Sequence, residues 1–434
     1  MAAMSNMDNV DNDEKKKDES HITFDDIRAY IDTGRNLFLT GPGGVGKSYY
    51  VKKLKEHYGD YLAVTSTTGV SSFNLMGRTI HSFSGIGAFK TRETLETVLK
   101  RIKKNPTNAE RWRNCRMLVI DEVSMLGAKM LEMLDQVARH FCAPNRPFGG
   151  IQVIFTGDFL QLPPIEDEFA FTSPVWETLN LQVLYLTKMY RVSDPVFTAL
   201  LERVRVAKMT PEDNVLLFAR AAAYRKRQDE FESDDHTVKV RPTWMYSRKV
   251  NVHEKNLQEL EKNPNDEMRF IPRYVTVSGQ PVKMRASDTE SALVLKIGAQ
   301  VMLTVNVDVE AGLVNGSRGV VVSYDGKADQ ITVRFVDGRE MSFGRHQYSY
   351  EEDGKVLYHM LQFPFILAYA LSIHKVQGCT LDYAVMDLGY SVFENSMSYV
   401  ALSRVRSLDG LYLTAYQPVR VKCDERALSF YENL

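Results

Sequence analysis

A glycine-rich turn followed at once by a lysine and a hydroxyl can take hold of a polyphosphate, and Gly41, Pro42, Gly43, Gly44, Val45, Gly46, Lys47 and Ser48 present that order. Glycines let main-chain N–H groups turn toward phosphate oxygens, and the amino end of the next helix adds positive potential. Lys47 then reaches the outer phosphates and Ser48 offers oxygen to Mg2+. An ordinary turn between strand and helix needs neither residue. Farther on, Asp121 and Glu122 end the apolar run Met117, Leu118, Val119, Ile120. Asp121 is suited to hold Mg2+ through water, and Glu122 to activate or orient an attacking water, the step that separates hydrolysis from binding. Gln161, in the turn-rich segment 157–164, is placed to sense a γ-phosphate. Arg191 and Arg404 offer guanidinium groups that can meet transition-state charge.

These residues need a scaffold that brings them to one edge. Residues 36–40 read as a short buried strand, and Tyr49, Val51 and Leu54 continue as one face of a helix. Thr23 can cap an earlier helix with Asp25 and Asp26 in its first turn, an apolar face of Phe24, Ile27, Tyr30 and Ile31, and Gly34 as its stop. Further strands at 61–65, 117–120 and 151–156 alternate with helical patterns, the pattern of an α/β fold with a parallel sheet and crossover helices. Between about 293 and 360 the texture turns to short β-rich runs broken by Asp325-Gly326 and Asp337-Gly338, which read as hairpins. A small β-barrel inserted into a second α/β unit is the expectation. Residues up to Ser20 read as a flexible tail, and 225–235 as a solvated loop or helix end. No repeat or heptad run is present.

Composition sets outer limits. With 434 residues, two or three domains are expected. Lys and Arg total 54 against 55 Asp and Glu, so a polyanionic partner must be met by a local basic stripe rather than by bulk charge. Cys115, Cys142, Cys379 and Cys423 lack CxxC spacing, which argues against zinc or a disulfide framework and leads us to expect buried thiols in a reducing, intracellular compartment. No apolar run approaches a membrane span, and the acidic, polar start is unlike a secretory or mitochondrial leader.

The order of motifs closely resembles the petite integration frequency (PIF) DNA helicases of superfamily 1B, from about Asn36 to Leu413. The resemblance rests on 41–48, on Thr65 to Gly69 with Gly77 to Phe83, on Asp121 to Met125, and on 157–164. Tyr190-Arg191, 298–303, Leu313 to Gly316 with Gly319, 372–381 and 399–404 extend it. Leu131, Leu134, Asp135, Arg139 and 147–152 match the stretch that sets this family apart from its RecD-like relatives. The resemblance implies two RecA-like P-loop domains clamping ATP and Mg2+, with boundaries at 21–187 for the first, 188–290 and 363–434 for the second, and an SH3-like barrel at 291–362. It implies that Lys47, Ser48, Asp121, Glu122 and Gln161 serve ATP from the first domain, with Arg191 and Arg404 as arginine fingers from the second. Gln377 and Gly378 fall in a segment that couples nucleotide state to DNA grip, and Thr67, Thr68, His81 and Lys375 match positions near the DNA backbone. A short wedge falls after Phe83, next to the basic run Lys100, Arg101, Lys103, Lys104, which reads equally as a solvated helix face.

Two positions depart from the family. Phe24 stands where a glutamine contacting adenine is usual, and Val192 where glutamine commonly follows the arginine. The implied activity is ATP-dependent 5′-to-3′ translocation on single-stranded DNA and unwinding of forked duplex, by a monomer that meets replication proteins and no membrane. The alternative is a single-strand-stimulated ATPase that displaces bound protein without processive unwinding. A P-loop kinase or switch would leave the paired arginines and the second α/β unit without a role.

Overall fold

The computed structural model describes residues 22–75, 77–87, 89–232, 241–282, 292–305, 307, 313, 316–352, 355–381 and 383–434. The expected tail, Val314 and Asn315 of one motif, and 233–235 lie outside them.

Six parallel strands form the first sheet: β1 (Leu37–Thr40), β2 (Leu62–Ser66), β3 (Arg78–Thr79), β4 (Met117–Asp121), β5 (Gln152–Gly157) and β6 (Gln182–Tyr185), in the order β3-β2-β4-β5-β1-β6. The expected strands are all present, each shifted by about one residue. Because both faces are covered, β1 is buried at every position. Leu37 and Leu39 pack with Val51 and Leu54, while Phe38 points to the other face, among Leu118, Ile120 and Phe155. Register aligns Thr40 with Gly157 and Ser66 with Asp121, so the carboxyl ends of β1, β2, β4 and β5 share one edge.

The first helix, α1 (Phe24–Asp32), begins as the sequence implies. Thr23 accepts the Asp26 N–H, Asp26 reciprocates, and Gly34 follows with φ of 75°. In α2 (Lys47–Tyr58) the buried face is Tyr50, Val51 and Leu54, whereas Tyr49 is 56 % exposed. The face read from the sequence was therefore one residue off at its start.

A second parallel sheet orders Ala370–Ser372, Thr243–Tyr246, Ala384–Leu388 and Leu411–Tyr416. The β-rich segment contributes an antiparallel sheet of Glu340–Phe343, Gln330–Phe335, Arg318–Asp325, Gln300–Leu303 and Phe365–Leu367, with its own apolar core. At the second turn Gly338 takes the positive φ that its DG pair suggested. At the first, that role falls to Asp329, with φ of 49°, and the Asp325 carboxylate instead accepts the Lys327 and Ala328 N–H groups. The connection is a four-residue loop, so the two-residue signal misplaced the bend.

Helix Pro211–Glu232 absorbs the described part of the 225–235 stretch. Within Leu95–Lys103, Lys100 pairs with Glu96 on the exposed side, while the half-buried Arg101 pairs with Glu93 and donates to the Ile86 carbonyl. All four thiols are free, and they are half-buried rather than buried. No helix among the described residues is long and apolar enough to cross a membrane.

The last helix, Glu425–Glu432, within the 363–434 segment that the resemblance gives to the second unit, packs on the first sheet. Phe430 stacks on Phe171 with centroids 4.5 Å apart and meets Phe159 edge-on at 5.2 Å. The Tyr431 hydroxyl lies 2.6 Å from Thr40 Oγ1 and accepts the Phe159 N–H.

Candidate nucleotide site and its neighbours

The phosphate loop leaves β1 and enters α2 through glycines that nothing larger could replace. At Gly41, φ is 136° and a Cβ would stand 2.2 Å from the Leu186 carbonyl oxygen; at Gly44, φ is 98° and it would stand 2.8 Å from Arg191 Cβ. Lys47 Nζ donates to the Gly41 and Pro42 carbonyls at 2.5 and 2.8 Å, resting on its own loop. Burial draws its pKa down to about 8, against the pull of Asp158, Glu122 and Asp121.

One cavity of about 300 Å3 is lined by Gly43, Gly44, Gly46, Lys47, Ser48, Asp121, Glu122, Gln161, Arg191 and Arg404. Every side chain assigned to ATP or metal from the sequence thus faces one space; Gly41, Pro42 and Val45 shape the loop without lining it. Tyr49 and Tyr190, both more than half exposed, add aromatic rings to the wall. Phe24 does not line it: its ring lies 5.5 Å from Lys53 Nζ and 6.2 Å from the His57 ring, on the outer side of α2.

The acidic side of the cleft is tightly held. Asp121 is buried and accepts hydrogen bonds from Ser71 and Thr156. Glu122 sits in the left-handed region, φ 55° and ψ 48°, a strain of about 1–3 kcal/mol for a residue with a side chain. Its carboxylate accepts from Gln377 Nε2 at 3.1 Å. Burial and then Asp121 push its pKa upward, opposed by Gln377, Lys47 and Arg404.

The basic side comes from the rest of the chain. Arg404 is 1 % exposed, with Nε donating to the Val400 carbonyl at 2.8 Å and Nη2 to Ser403 Oγ at 2.7 Å. Arg191 Nη1 donates to the Ser403 carbonyl at 2.8 Å. Burial first and Arg404 second bring the Arg191 pKa down to about 9. No carboxylate within salt-bridge distance of either guanidinium is present among the described residues. Both approach the phosphate loop: a Cβ on Gly43 would lie 3.3 Å from Arg404 Nη2 and 3.6 Å from Arg191 Nη1. Two cations without a paired carboxylate, Arg404 buried and Arg191 half-buried, stand beside Lys47 and form a receptor for a polyanion.

For Mg2+ the test is the donor set. Ser48 and Asp121 share the cavity, both offer hard oxygens, and no cluster of three or more His, Cys, Asp or Glu suited to a metal exists among the described residues. This fits an ion held by one carboxylate, one hydroxyl and the ligand's own phosphates rather than by an all-protein cage.

Thr67, Thr68, His81 and Lys375 do not line this cavity. Thr67 follows β2, with its hydroxyl donating to the Glu122 carbonyl at 2.8 Å and its N–H to the Asp121 carbonyl at 3.1 Å. Thr68 Oγ1 accepts the Ser71 N–H. His81 is half-buried in the short helix Ile80–Ser84, and burial lowers its pKa. Lys375 is exposed two residues before Gln377. Both segments thus reach the carboxylate pair, one through main chain and one through Gln377.

Several residues escaped the sequence reading. Tyr399, inside a noted motif but given no task, accepts the Gly43 N–H at 2.8 Å. Ser71 and Thr156 steady Asp121, and nothing in their spacing announces it. Asp158 and Arg205 form a buried, two-pronged ion pair at 2.7 and 2.9 Å, with side chains 0 % and 8 % exposed.

Comparison with known proteins adds a separate line of observation. The family description "PIF1-like helicase" matches residues 15–208, and "DNA helicase Pif1, 2B domain" matches 289–324. The chain is 37 % identical to the ATP-dependent DNA helicase PIF1 of Homo sapiens over 94 % of its own length and 62 % of that protein, so it spans less than two thirds of that relative. With the ATP-dependent DNA helicase Pif1 of Bdellovibrio bacteriovorus it shares 34 % identity, covering 92 % of this chain and 89 % of the other. Among solved structures, the Pif1 helicase from Bacteroides in complex with ADP-AlF3 and ssDNA superposes with a TM-score of 0.70 at 28 % identity, covering 94 % of this chain and 96 % of that one.

Proposed function

Given that the chain belongs to the PIF1-like helicase family, we propose that it is an ATP-dependent DNA helicase that moves 5′ to 3′ along single-stranded DNA and unwinds forked duplex. The observation that carries this reading is the pair of guanidiniums, Arg404 buried and Arg191 half-buried, which face Lys47 and the Asp121–Glu122 carboxylates across one cleft. A phosphoryl-transfer site of that composition responds to a nucleotide by drawing its two sides together. The relatives' names, and the Bacteroides neighbour's ADP-AlF3 and single strand, support the choice of ATP and DNA.

In the proposed cycle the loop N–H groups and Lys47 hold the outer phosphates. Ser48 and Asp121 would hold Mg2+, which would neutralise phosphate charge when bound. Glu122 accepts a proton from the attacking water, Gln161 monitors the γ-phosphate, and Arg191 and Arg404 stabilise the charge that spreads over its oxygens. Thr67, Thr68, His81 and Lys375 contact the DNA backbone, whose phosphates suit hydroxyl and cationic partners. The division into 21–187, 188–290 with 363–434, and an SH3-like barrel at 291–362 belongs to the same proposal. Its supports are the two parallel sheets and the antiparallel sheet, whose strands fall in sequence between Thr243–Tyr246 and Ala370–Ser372 of the second parallel sheet. Intracellular action as a monomer, with replication proteins as partners, completes it.

Lys47→Ala should abolish hydrolysis while sparing DNA binding; DNA-stimulated turnover in that variant would sink the assignment. Fork unwinding on 5′-tailed and 3′-tailed substrates tests direction. Brisk ATPase with no strand separation on either would move the protein to the remodelling class.

A further inference from the structure

Gln377 is 2 % exposed and its amide is only half used. Nε2 donates to Glu122 Oε2 at 3.1 Å, whereas Oε1 is buried with no hydrogen-bond partner. Buried amide oxygens are nearly always satisfied, and leaving one bare costs about 1–3 kcal/mol. An unpaired acceptor on the very group that grips the candidate general base therefore points to a donor that arrives with the substrate. The other carboxylate oxygen, Oε1 of Glu122, stands 3.7 Å from where a Cβ on Gly378 would lie, and Gly378 itself lines the nucleotide cavity.

We propose that Gln377 is a positioning residue for hydrolysis, orienting both the Glu122 carboxylate and the attacking water. The inference rests on the ATPase reading above and extends it to a residue that the phosphate-binding set does not contain. A water that gives one hydrogen to Glu122 Oε1 and the other to Gln377 Oε1 has both O–H bonds directed away from the phosphate, which leaves a lone pair facing phosphorus. Its oxygen then bonds to the γ-phosphorus while the bond from that phosphorus to the β–γ bridging oxygen breaks, and the electron pair leaves with ADP. One water proton passes to Glu122 and the other stays on the phosphate product. The Nε2 contact meanwhile fixes the rotamer of a carboxylate whose backbone is in the left-handed region. Gln161 has a different place: it lines the cavity itself, on the first sheet's side.

The test uses the full chain as wild type, Gln377→Ala and Gln377→Met, the second keeping the side-chain length without the amide. Steady-state ATPase with saturating oligothymidylate, phosphate release by quench-flow, and affinity for a fluorescent ADP analogue are read for each. Both variants should lose about 100-fold or more in kcat and in the chemical step, with KM for ATP and affinities for the ADP analogue and the oligonucleotide within about twofold of wild type. Turnover within threefold of wild type in either variant overturns the proposal, and so does loss of ADP binding alongside kcat, which would mark a structural role. Wild-type protein without any oligothymidylate-stimulated ATPase would instead overturn the functional reading on which this rests. Stimulated wild type with variants that match it sinks this inference alone.

Discussion

Replacing Arg191 by methionine should make the nucleotide-free protein more stable while it disables the enzyme. A pKa drawn from 12.5 to about 9 marks a charge that the fold destabilises by roughly 5 kcal/mol at neutral pH, burial contributing most and Arg404 next. Methionine keeps the stem and removes the charge. It also removes the hydrogen bond to the Ser403 carbonyl at 2.8 Å, a loss of about 1–3 kcal/mol if that oxygen is left unsatisfied. The balance is a gain of about 2 kcal/mol or more, a rise in melting temperature of roughly 4–8 °C by the scaling for domains of 150–250 residues. Thermal melts without ligand and with saturating Mg·ADP decide the matter. Without ligand the variant should melt higher; at about a thousandfold excess over Kd the wild type gains about 4 kcal/mol from binding and the order reverses. A variant that melts below wild type in the absence of nucleotide refutes the idea that these guanidiniums are held against their own preference.

Other outcomes follow from the same geometry. Arg404→Lys keeps one charge and loses the fork that spans Val400 and Ser403, so kcat should fall by about 1,000-fold or more with oligonucleotide affinity unchanged, read by ATPase and fluorescence anisotropy. Arg205→Met leaves Asp158 charged and buried, and should cost about 3–5 kcal/mol in denaturant unfolding; adding Asp158→Asn should recover most of that loss. Tyr190→Ala should raise KM for ATP and GTP together by about tenfold, since a ring stacks on any base, whereas Phe24→Gln should not sharpen the choice between them, because that side chain packs on Lys53 and His57.

Much of the nucleotide chemistry was legible because the phosphate loop and the carboxylates follow directly on strands that periodicity can find. A run of apolar residues ending in Asp121-Glu122 announces both the strand and its cargo, and Thr23 with Asp26 announces a helix start. What escaped depends on contacts far apart in sequence. Nothing near Ser71 or Thr156 reveals that their hydroxyls meet on Asp121, and nothing near Tyr399 reveals Gly43. The α2 face slipped at its first residue because the inward position belongs not to Tyr49 but to Tyr50, which stands four residues before Leu54 and so shares its face. The hairpin after Asp325 forms, but its two-residue bend gave way for a local reason: an Asx turn at Asp325 competed with it and won. Helix Glu425–Glu432 reads as an ordinary amphipathic end, and its placement on the first unit is set by a pocket of rings contributed by Phe159, Phe171 and Trp176.

That last helix changes how the two units are joined. The chain crosses between the units once near residues 186–194, beside the phosphate loop, and again near 421–425, where the final helix turns back to place Tyr431 on Thr40 and beneath Arg205, 5.0 Å from its ring. The two units are thus joined by two chain crossings and by the buried Asp158–Arg205 pair, and Thr40, which holds Tyr431, stands directly before the loop that grips the nucleotide.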